Sequence, residues 1–376
     1  MNEPAYLDWT EDGQPQRARW RSESGAAAPR RVVPADDAMP ADTAFRLASE
    51  GTGLLWRGDF HNARQLLQAI ARRIDKRARK PPQGAGAERF NRHRMAQAQR
   101  ARTLGMLLIE LQADYGVALR RAPDLRAACQ AAWGPGGQRC VASLRELLGL
   151  VGAFEWRRKG VPVPELQAHI HPHYGVFSPL RGEYLRLAAQ APLPAGSAQL
   201  AWDIGTGTGV LAALLARRGV ASIVATDISE RALECARENI GRLGLADRVT
   251  LLAADLFPPG RAPLIVCNPP WVPARPTSTV EQAVYDPDSR MLRGFLAGLA
   301  ARLAPGGEGW LILSDIAEHL GLRTREQLLG WIEAGGLRVA GRLDARPVHG
   351  KAQDAADPLH AARAAETTSL WRLAAA

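Results

Sequence analysis

The stretch LAWDIGTGTG (Leu200–Gly209) decides the fold, because a short apolar run ends in three alternate glycines and leads into the helical segment 210–218. A buried strand that turns at once into a helix is the unit of a parallel sheet covered by helices. The same alternation continues to the C-terminus, and we expect an α/β doubly wound sheet over residues 161–376. Strands are predicted at 222–226, 249–253, 264–267, 310–314, 337–343 and 367–373, and helices at 230–243, 289–303 and 325–334.

The glycine loop, Gly205-Thr-Gly-Thr-Gly209, favours a nucleoside that carries positive charge. Glycines let the backbone turn tightly and let a ligand approach it closely. A dinucleotide fingerprint needs Gly or Ala three places after its second glycine, and here that position is Val210. The acid Asp203, two residues before the loop, would repel a pyrophosphate. The loop therefore suits a cationic or zwitterionic nucleoside better than a dinucleotide.

Two further acids follow the next two predicted strands. Asp227 ends the second strand and can accept hydrogen bonds from both hydroxyls of a ribose. Asp255 ends the third strand and can accept a hydrogen bond from an adenine amino group. Each acid alone could be a helix cap or a turn residue. Three acids at the ends of three successive strands favour one shared ligand.

Four motifs in this order resemble those of class I S-adenosylmethionine-dependent methyltransferases: DIGTGTG (203–209), the strand-end Asp227, AADLF (253–257) and NPPW (268–271). The resemblance covers about 175–373. It implies a Rossmann-like, seven-stranded sheet with an antiparallel last strand, and S-adenosyl-L-methionine as cofactor. By this resemblance, Asp203 and the glycines line the methionine part, Asp227 holds the ribose and Asp255 the adenine. The full set of predicted cofactor residues is Asp203, Gly205, Thr206, Gly207, Gly209, Asp227, Ile228, Asp255, Leu256, Asn268 and Phe177.

The NPPW motif resembles that of the subgroup that methylates nitrogen in a planar amide or amino group. Such a nitrogen is a poor nucleophile, because its lone pair is delocalised. The Asn268 side-chain oxygen and the Pro269 carbonyl can accept its two hydrogens, and Pro269 with Pro270 stiffens that geometry. Trp271 offers a face for the flat target group, or for cation–π contact with a sulfonium. Tyr or Phe is usual at that position, so Trp271 leaves the exact target open, and NPPW could also be only a rigid turn.

A segment before the first strand, HYGVFSP (His173–Pro179), resembles that of "small domain" methyltransferases. This group includes release-factor glutamine methyltransferases and ribosomal-RNA guanine-N2 methyltransferases. In the former, an N-terminal helical domain grips the protein substrate. The match does not extend into residues 1–160, so it does not specify the substrate.

The N-terminal region is basic, and its pattern predicts helices. Residues 1–40 lack periodicity and are expected to be a loose arm. Residues 41–160 are expected to form a basic helical domain with helices at 44–80, 96–115, 125–133 and 141–151, and with a break at 81–86. Between Trp56 and Thr103 there are 13 Lys or Arg against three acids, while the whole chain carries a net charge of +10. This excess is either a solvated helical surface or a footprint for RNA, with Arg72, Arg73, Arg77 and Arg79 as candidates.

Other features indicate a cytoplasmic protein. No apolar segment resembles a signal peptide or a membrane span. The four cysteines, Cys129, Cys140, Cys235 and Cys267, lack metal-type spacing and are expected to be reduced and mostly buried. His169, His171 and His173 alternate in a way that could bind a metal. We instead expect a loop that leads to the cofactor site, and no metal.

The sequence therefore predicts an enzyme that transfers a methyl group from S-adenosylmethionine to an amide or amino nitrogen. A translation-related macromolecule, either a protein glutamine or an RNA base, is the leading substrate class. A small-molecule acceptor is an alternative, as is a non-catalytic protein that keeps the cofactor fold as a scaffold for RNA or protein. Asp203, the glycines and Asn268 argue against the scaffold. The sequence does not fix the oligomeric state.

Overall fold

The computed structural model describes residues 5–77, 84–179, 182–276, 281, 284–347, 354 and 357–376. The chain divides into two compact units. The N-terminal unit comprises Met1–Gly84 and Asn91–Glu155, and the C-terminal unit comprises Ala85–Phe90 and Trp156–Ala376. Arg79 and residues 81–83 of the predicted break at 81–86 lie outside the described residues.

The N-terminal unit is an α/β unit, so the prediction of a helical domain at 41–160 is wrong. Its described strands form one mixed sheet of six in the order β1-β2-β6-β5-β4-β3, in which β3, β4 and β5 run parallel. The strands are β1 (Tyr6–Glu11), β2 (Gln14–Arg21), β3 (Arg31–Ala35), β4 (Thr52–Trp56), β5 (Leu107–Leu111) and β6 (Cys140–Ser143). The helices are α1 (Ala41–Ser49), α2 (Phe60–Arg77), α3 (Gly86–Leu104), α4 (Arg126–Trp133) and α5 (Leu144–Lys159). Residues 86–90 of α3 and 156–159 of α5 belong to the C-terminal unit.

The helical prediction failed where a buried strand is a continuous apolar run. β4 reads TGLLW and is buried at every position, and β5 reads LLIEL. Such a run lacks the alternation of apolar and polar residues that marks a half-buried strand. It is also too short for periodicity to distinguish it from the helices beside it. The predicted helices at 44–80 and 96–115 therefore each contain a strand.

The predicted loose arm at 1–40 is also wrong for the part that is described. β1 and β2 pair antiparallel across Asp12 and Gly13, whose φ angles are 51° and 74°. An Asp-Gly pair between two strands is a strong hairpin signal, since both central residues of the favoured turn have positive φ. β3 then pairs parallel with β4. The described part of the arm thus supplies strands at both edges of the sheet, β1 and β2 at one edge and β3 at the other.

The C-terminal unit contains the predicted doubly wound sheet. Its seven main strands follow the order β11-β10-β9-β12-β13-β15-β14, and β15 is antiparallel to both of its neighbours. This confirms the predicted α/β sheet with an antiparallel last strand. The strands are β7 (Val161–Val163), β8 (Ala168–Ile170), β9 (Leu200–Ile204), β10 (Ser222–Asp227), β11 (Val249–Ala253), β12 (Ala262–Cys267), β13 (Leu303–Ser314), β14 (Leu337–Ala345) and β15 (Thr368–Ala375). The helices are α6 (Glu183–Gln190), α7 (Val210–Arg217), α8 (Glu230–Arg242), α9 (Arg290–Arg302), α10 (Ile316–His319), α11 (Arg325–Ala334) and α12 (His360–Ala365).

Helices cover both faces of this sheet. One apolar cluster joins α6 and α7 to the sheet, and a second joins α9 and α11 to it. β9, which precedes the glycine loop, lies between β10 and β12 and is buried from Ala201 onward. Its carboxyl end therefore lies inside the sheet, among the carboxyl ends of the parallel strands, where ligands bind in open α/β sheets.

All four cysteines are buried and free, which confirms the prediction for them. Burial raises the pKa of the Cys235 thiol to about 12, so it stays protonated at neutral pH. Among the described residues, the helices are all too short or too polar to cross a bilayer.

Candidate functional site

The glycine loop after β9 adopts backbone angles that favour glycine. Gly205, Gly207 and Gly209 have φ of 73°, 56° and 80°. The amides of Gly205 and Thr206 both donate to the carbonyl of Thr226 on β10, at 2.9 and 2.8 Å. A Cβ on Gly207 would meet no atom within 4 Å. The loop is therefore anchored to the neighbouring strand and leaves open space at Gly207.

Asp203 is fully buried beneath this loop. Its Oδ2 accepts hydrogen bonds from the Thr206 hydroxyl at 2.7 Å and from the Ala212 amide at 3.1 Å. Its Oδ1 is buried and has no hydrogen-bond partner among the described residues. Burial raises the pKa of Asp203 to about 6; its two hydrogen bonds oppose the rise and the Asp227 carboxylate adds to it. A buried carboxylate with one unsatisfied oxygen can receive a cationic donor.

Asp227, at the end of β10, lies against the same loop. Its Oδ2 accepts the Gly207 amide at 3.0 Å, and its Oδ1 accepts the Ser229 amide at 2.9 Å. Burial raises the pKa of this carboxyl group. The next residue, Ile228, exposes 71% of its surface, an unusual position for a large apolar side chain. The Asp227 carboxylate can accept hydrogen bonds from a sugar, and the exposed Ile228 side chain beside it can pack on a flat ring.

The loop after β11 carries two more of the predicted cofactor residues, Asp255 and Leu256. Asp255 is exposed, and its carboxylate accepts a hydrogen bond from Arg290 of α9 at 2.8 Å. Leu256 has a φ of 73°, which is uncommon for a residue with a side chain. Its carbonyl accepts a hydrogen bond from the Thr226 hydroxyl at 2.7 Å. This bond fixes the loop after β11 to β10.

Asn268 follows β12 at the same edge. β12 pairs in parallel with β9, and Cys267 lies opposite Ile204, so Asn268 and Gly205 leave the sheet side by side. The Trp271 indole donates its N–H to the Asn268 Oδ1 at 2.8 Å. Because an indole N–H can only donate, the amide oxygen must face it, and this contact fixes the orientation of the amide. The oxygen keeps a second lone pair for another donor.

Trp271 is half-buried, and it packs against three apolar clusters. The sequence predicted a face for stacking, and the hydrogen bond to Asn268 is a contact that it did not predict. Pro269 is buried and Pro270 half-buried, so the motif is held by packing as well as by its restricted backbone.

Residues from α9 and the turn before it also reach the site, although none of the sequence motifs predicted them. Asp286 is buried, and its carboxylate accepts the amides of Met291 and Leu292 at 3.0 and 3.1 Å. Burial raises its pKa. A side chain added to Gly205 would collide with Met291. The Asp-Pro pair at 286–287, just before the predicted helix at 289–303, was the available signal.

The segment with alternate histidines is held by α8 and the end of α5. The His171 ring lies 2.7 Å from the carbonyl of Arg157, and His173 Nε2 lies 2.7 Å from Glu238. Among the described residues no group of three or more His, Cys, Asp or Glu is placed to hold a metal ion. Phe177 is half-buried and packs against the cluster that contains the first residues of α7. Phe177 thus contacts this apolar core, and among the described residues it makes no hydrogen bond to the glycine loop.

This chain is similar to known methyltransferases. Residues 168–319 match the family model described as methyltransferase small domain. The tRNA1(Val) (adenine(37)-N6)-methyltransferase of Shewanella loihica is 31% identical over 167 residues, which are 41% of this chain and 67% of that protein. The chain belongs to the methyltransferase small-domain family. This confirms the resemblance drawn from the motifs.

Two other proteins similar to this chain are named as glutamine methyltransferases. The release factor glutamine methyltransferase of Cereibacter sphaeroides is 40% identical over 149 residues, 38% of this chain and 50% of that protein. The ribosomal protein uL3 glutamine methyltransferase of Bordetella pertussis is 37% identical over 117 residues, 30% of this chain and 39% of that protein. The chain thus spans about half the length or less of these two curated relatives.

Proposed function

We propose that this protein transfers a methyl group from S-adenosylmethionine to the side-chain amide nitrogen of a glutamine in a translation-related protein. The observation that carries the proposal is the Asn268 amide, fixed by Trp271 beside a glycine loop that covers a buried acid. The names of the relatives from Cereibacter and Bordetella support glutamine as the acceptor.

The residues at the carboxyl ends of β9 and β10 fit this cofactor. The unpartnered Oδ1 of Asp203 can accept a hydrogen bond from an ammonium group, which would also favour the ionised carboxylate. The open space at Gly207 lets a ligand reach the backbone, and Asp227 can accept from ribose hydroxyls. Ile228 offers apolar surface to the base. When bound, S-adenosylmethionine supplies an electrophilic methyl group on a positively charged sulfur.

Asn268 would act on the acceptor by orienting it. Its Oδ1 accepts one N–H of the glutamine amide, and the Pro269 carbonyl accepts the other. These bonds hold the nitrogen lone pair toward the methyl group and increase electron density on nitrogen as the new bond forms. No strong general base is needed, because the nitrogen becomes more acidic once it carries the methyl group and can then lose a proton to water.

An RNA adenine is the second candidate, and one observation favours it. The relative from Shewanella, which is named for an adenine of tRNA, is 31% identical to this chain over 167 residues. An exocyclic amino group presents the same two hydrogens as an amide. The clamp at Asn268 therefore suits both acceptors, and the experiment has to separate them.

The deciding experiment incubates the full chain with tritiated cofactor and a lysate from cells that lack its gene. Label that protease removes and nuclease leaves, and that mass spectrometry locates on a glutamine 14 mass units heavier, is the expected result. Label that only nuclease removes would overturn the glutamine proposal in favour of RNA.

A variant tests the role of Asn268. Asn268→Ala should reduce turnover by roughly a hundredfold or more, because the acceptor loses its orientation, while cofactor affinity changes little. Asn91→Ala, an exposed amide in the N-terminal unit, is the matched control and should leave both unchanged. Turnover that survives Asn268→Ala would exclude the proposed clamp.

A further inference from the structure

The helix α2 of the N-terminal unit carries a stripe of exposed, positively charged side chains. Arg64, Gln68, Arg72 and Lys76 are exposed and follow one another at intervals of four residues, so they share one face of the helix. Among the described residues, Arg64, Arg72 and Lys76 make no hydrogen bond or ion pair. The stripe is about 18 Å long, at about 1.5 Å per residue from Arg64 to Lys76.

The other basic groups of α2 are engaged in the fold. Arg73 donates to Asp42 of α1 at 2.6 Å. The Arg77 guanidinium lies over the Phe45 ring, 4.6 Å from its centroid. These two arginines, both sequence candidates for RNA contact, hold α1 against α2. The structure therefore separates arginines that fix the helix from those that face solvent.

The single acid of α2 does not neutralise the stripe. Asp75 accepts two hydrogen bonds from Arg100 of α3, at 3.0 and 3.2 Å. Its charge is balanced by that guanidinium, and Arg64, Arg72 and Lys76 keep theirs. The residues of α2 and 91–104 together carry nine Arg or Lys and one acid, a local excess of eight.

The chemistry of this face selects the class of partner. None of the large apolar side chains exposed in the described residues belongs to α2. Its one Phe, Phe60, is buried, and its exposed imidazole, His61, lies within hydrogen-bond distance of Gln65. A protein interface needs apolar or aromatic anchors at its centre, and single-stranded nucleic acid needs aromatic faces on which bases stack. The face instead offers charges and amides along a line, which suits the phosphates of a folded RNA duplex.

We infer that the stripe Arg64–Gln68–Arg72–Lys76 binds the sugar–phosphate backbone of double-stranded RNA without reading its sequence. The inference does not depend on the proposed methyl transfer, since binding needs neither cofactor nor acceptor. It gives the N-terminal unit a role in bringing the protein to an RNA-containing assembly.

The test measures the affinity of the full chain for a fluorescent 20-base-pair RNA hairpin across a range of salt concentrations. The stripe variant replaces Arg64, Arg72 and Lys76 with Ala. The control variant replaces three exposed arginines of the C-terminal unit, Arg237, Arg261 and Arg338, and removes the same charge. We expect the stripe variant to bind at least about tenfold more weakly at 0.1 M salt, with a log–log salt slope shallower by about 2–3, and the control to match wild type.

Two results would overturn the inference. One is equal salt slopes for the stripe and control variants. The other is displacement of the RNA by polyglutamate as readily as by unlabelled RNA, which would indicate an acidic protein partner. A second measurement serves if the variant does not fold: bound RNA should slow the chemical acylation of Lys76 in the wild-type chain and leave the exposed Lys159 unaffected. Equal rates at Lys76 with and without RNA would also reject the stripe.

Discussion

The Asp203→Asn variant should be more stable than the wild-type protein at neutral pH and should lose cofactor binding. Burial raises the pKa of Asp203 from 3.8 to about 6. Between these values the folded chain binds more protons than the unfolded chain, so stability falls as pH rises and levels off above about 6. The shift of about 2 units corresponds to about 3 kcal/mol in the free energy of unfolding. Asn is nearly isosteric and neutral, and its oxygen can still accept from Thr206 and Ala212.

The gain should depend on pH in a defined direction. Two-state linkage with these pKa values makes the variant more stable than wild type by about 3 kcal/mol at pH 7.5 and by about 1 kcal/mol at pH 4.5. Urea unfolding followed by circular dichroism at both pH values measures the gap. Asp247→Asn makes the same change at an exposed position of the same unit and should show no such gap. Calorimetric titration with S-adenosylmethionine then measures binding.

A variant that is less stable than wild type at pH 7.5 would refute the reasoning. So would a stability difference that is the same at both pH values, because the carboxylate would then not be destabilised by burial. Retained cofactor affinity in Asp203→Asn would separate the stability prediction from the binding prediction. It would leave the stability argument intact and remove Asp203 from the binding site.

Two further variants probe single contacts. Trp271→Phe keeps the aromatic packing and removes the N–H donor to Asn268, so kcat should fall roughly tenfold while cofactor affinity is unchanged; an unchanged kcat would show that the hydrogen bond does not position the amide. Burial alone would raise the pKa of Glu238, but hydrogen bonds from His173, Arg242 and Arg157 outweigh it and lower the pKa to about 2. Glu238→Gln should therefore cost about 1–3 kcal/mol of stability at pH 7, and the cost should shrink as pH falls from 4.5 toward 2; a cost independent of pH in thermal unfolding would contradict this.

The sequence predicted the sheet of the C-terminal unit because its strands and helices differ in length and are separated by clear turn signals. The glycine loop after β9 and Asp227 at the end of β10 each mark the carboxyl end of a strand, so the hydrophobic pattern and the motifs agree. In the N-terminal unit the strand β4 is as apolar as the helices around it, and periodicity could not separate them. Only the Asp-Gly turn at 12–13 offered a local signal.

The site itself was predictable only where its residues follow strands. Asp203, Asp227 and Asn268 lie at strand ends, and parallel pairing brings strand ends together. Asp286 and Arg290 reach the same edge through a turn and a helix that begin some 20 residues after β12. The positions of Asp286 and Arg290 depend on how the chain between β12 and α9 folds back. No local sequence pattern predicts the path of that connection.

Acids at or near the carboxyl ends of parallel strands lie in opposite electrostatic settings in the two units, and this contrast supports the proposed ligand site. In the N-terminal unit the buried Asp59, which follows β4, accepts hydrogen bonds from Arg121 and Arg120 at 2.7 and 2.8 Å, and these contacts hold its pKa well below its usual range. That carboxylate is already satisfied by its own chain. In the C-terminal unit burial raises the pKa of both Asp203 and Asp227, and the described residues supply no cation to either carboxylate. Destabilised carboxylates at the strand ends are stabilised when a positively charged ligand binds. A carboxylate that is already paired with arginines gains no such stabilisation. This difference supports the proposal that the cofactor binds at the carboxyl ends of β9 and β10.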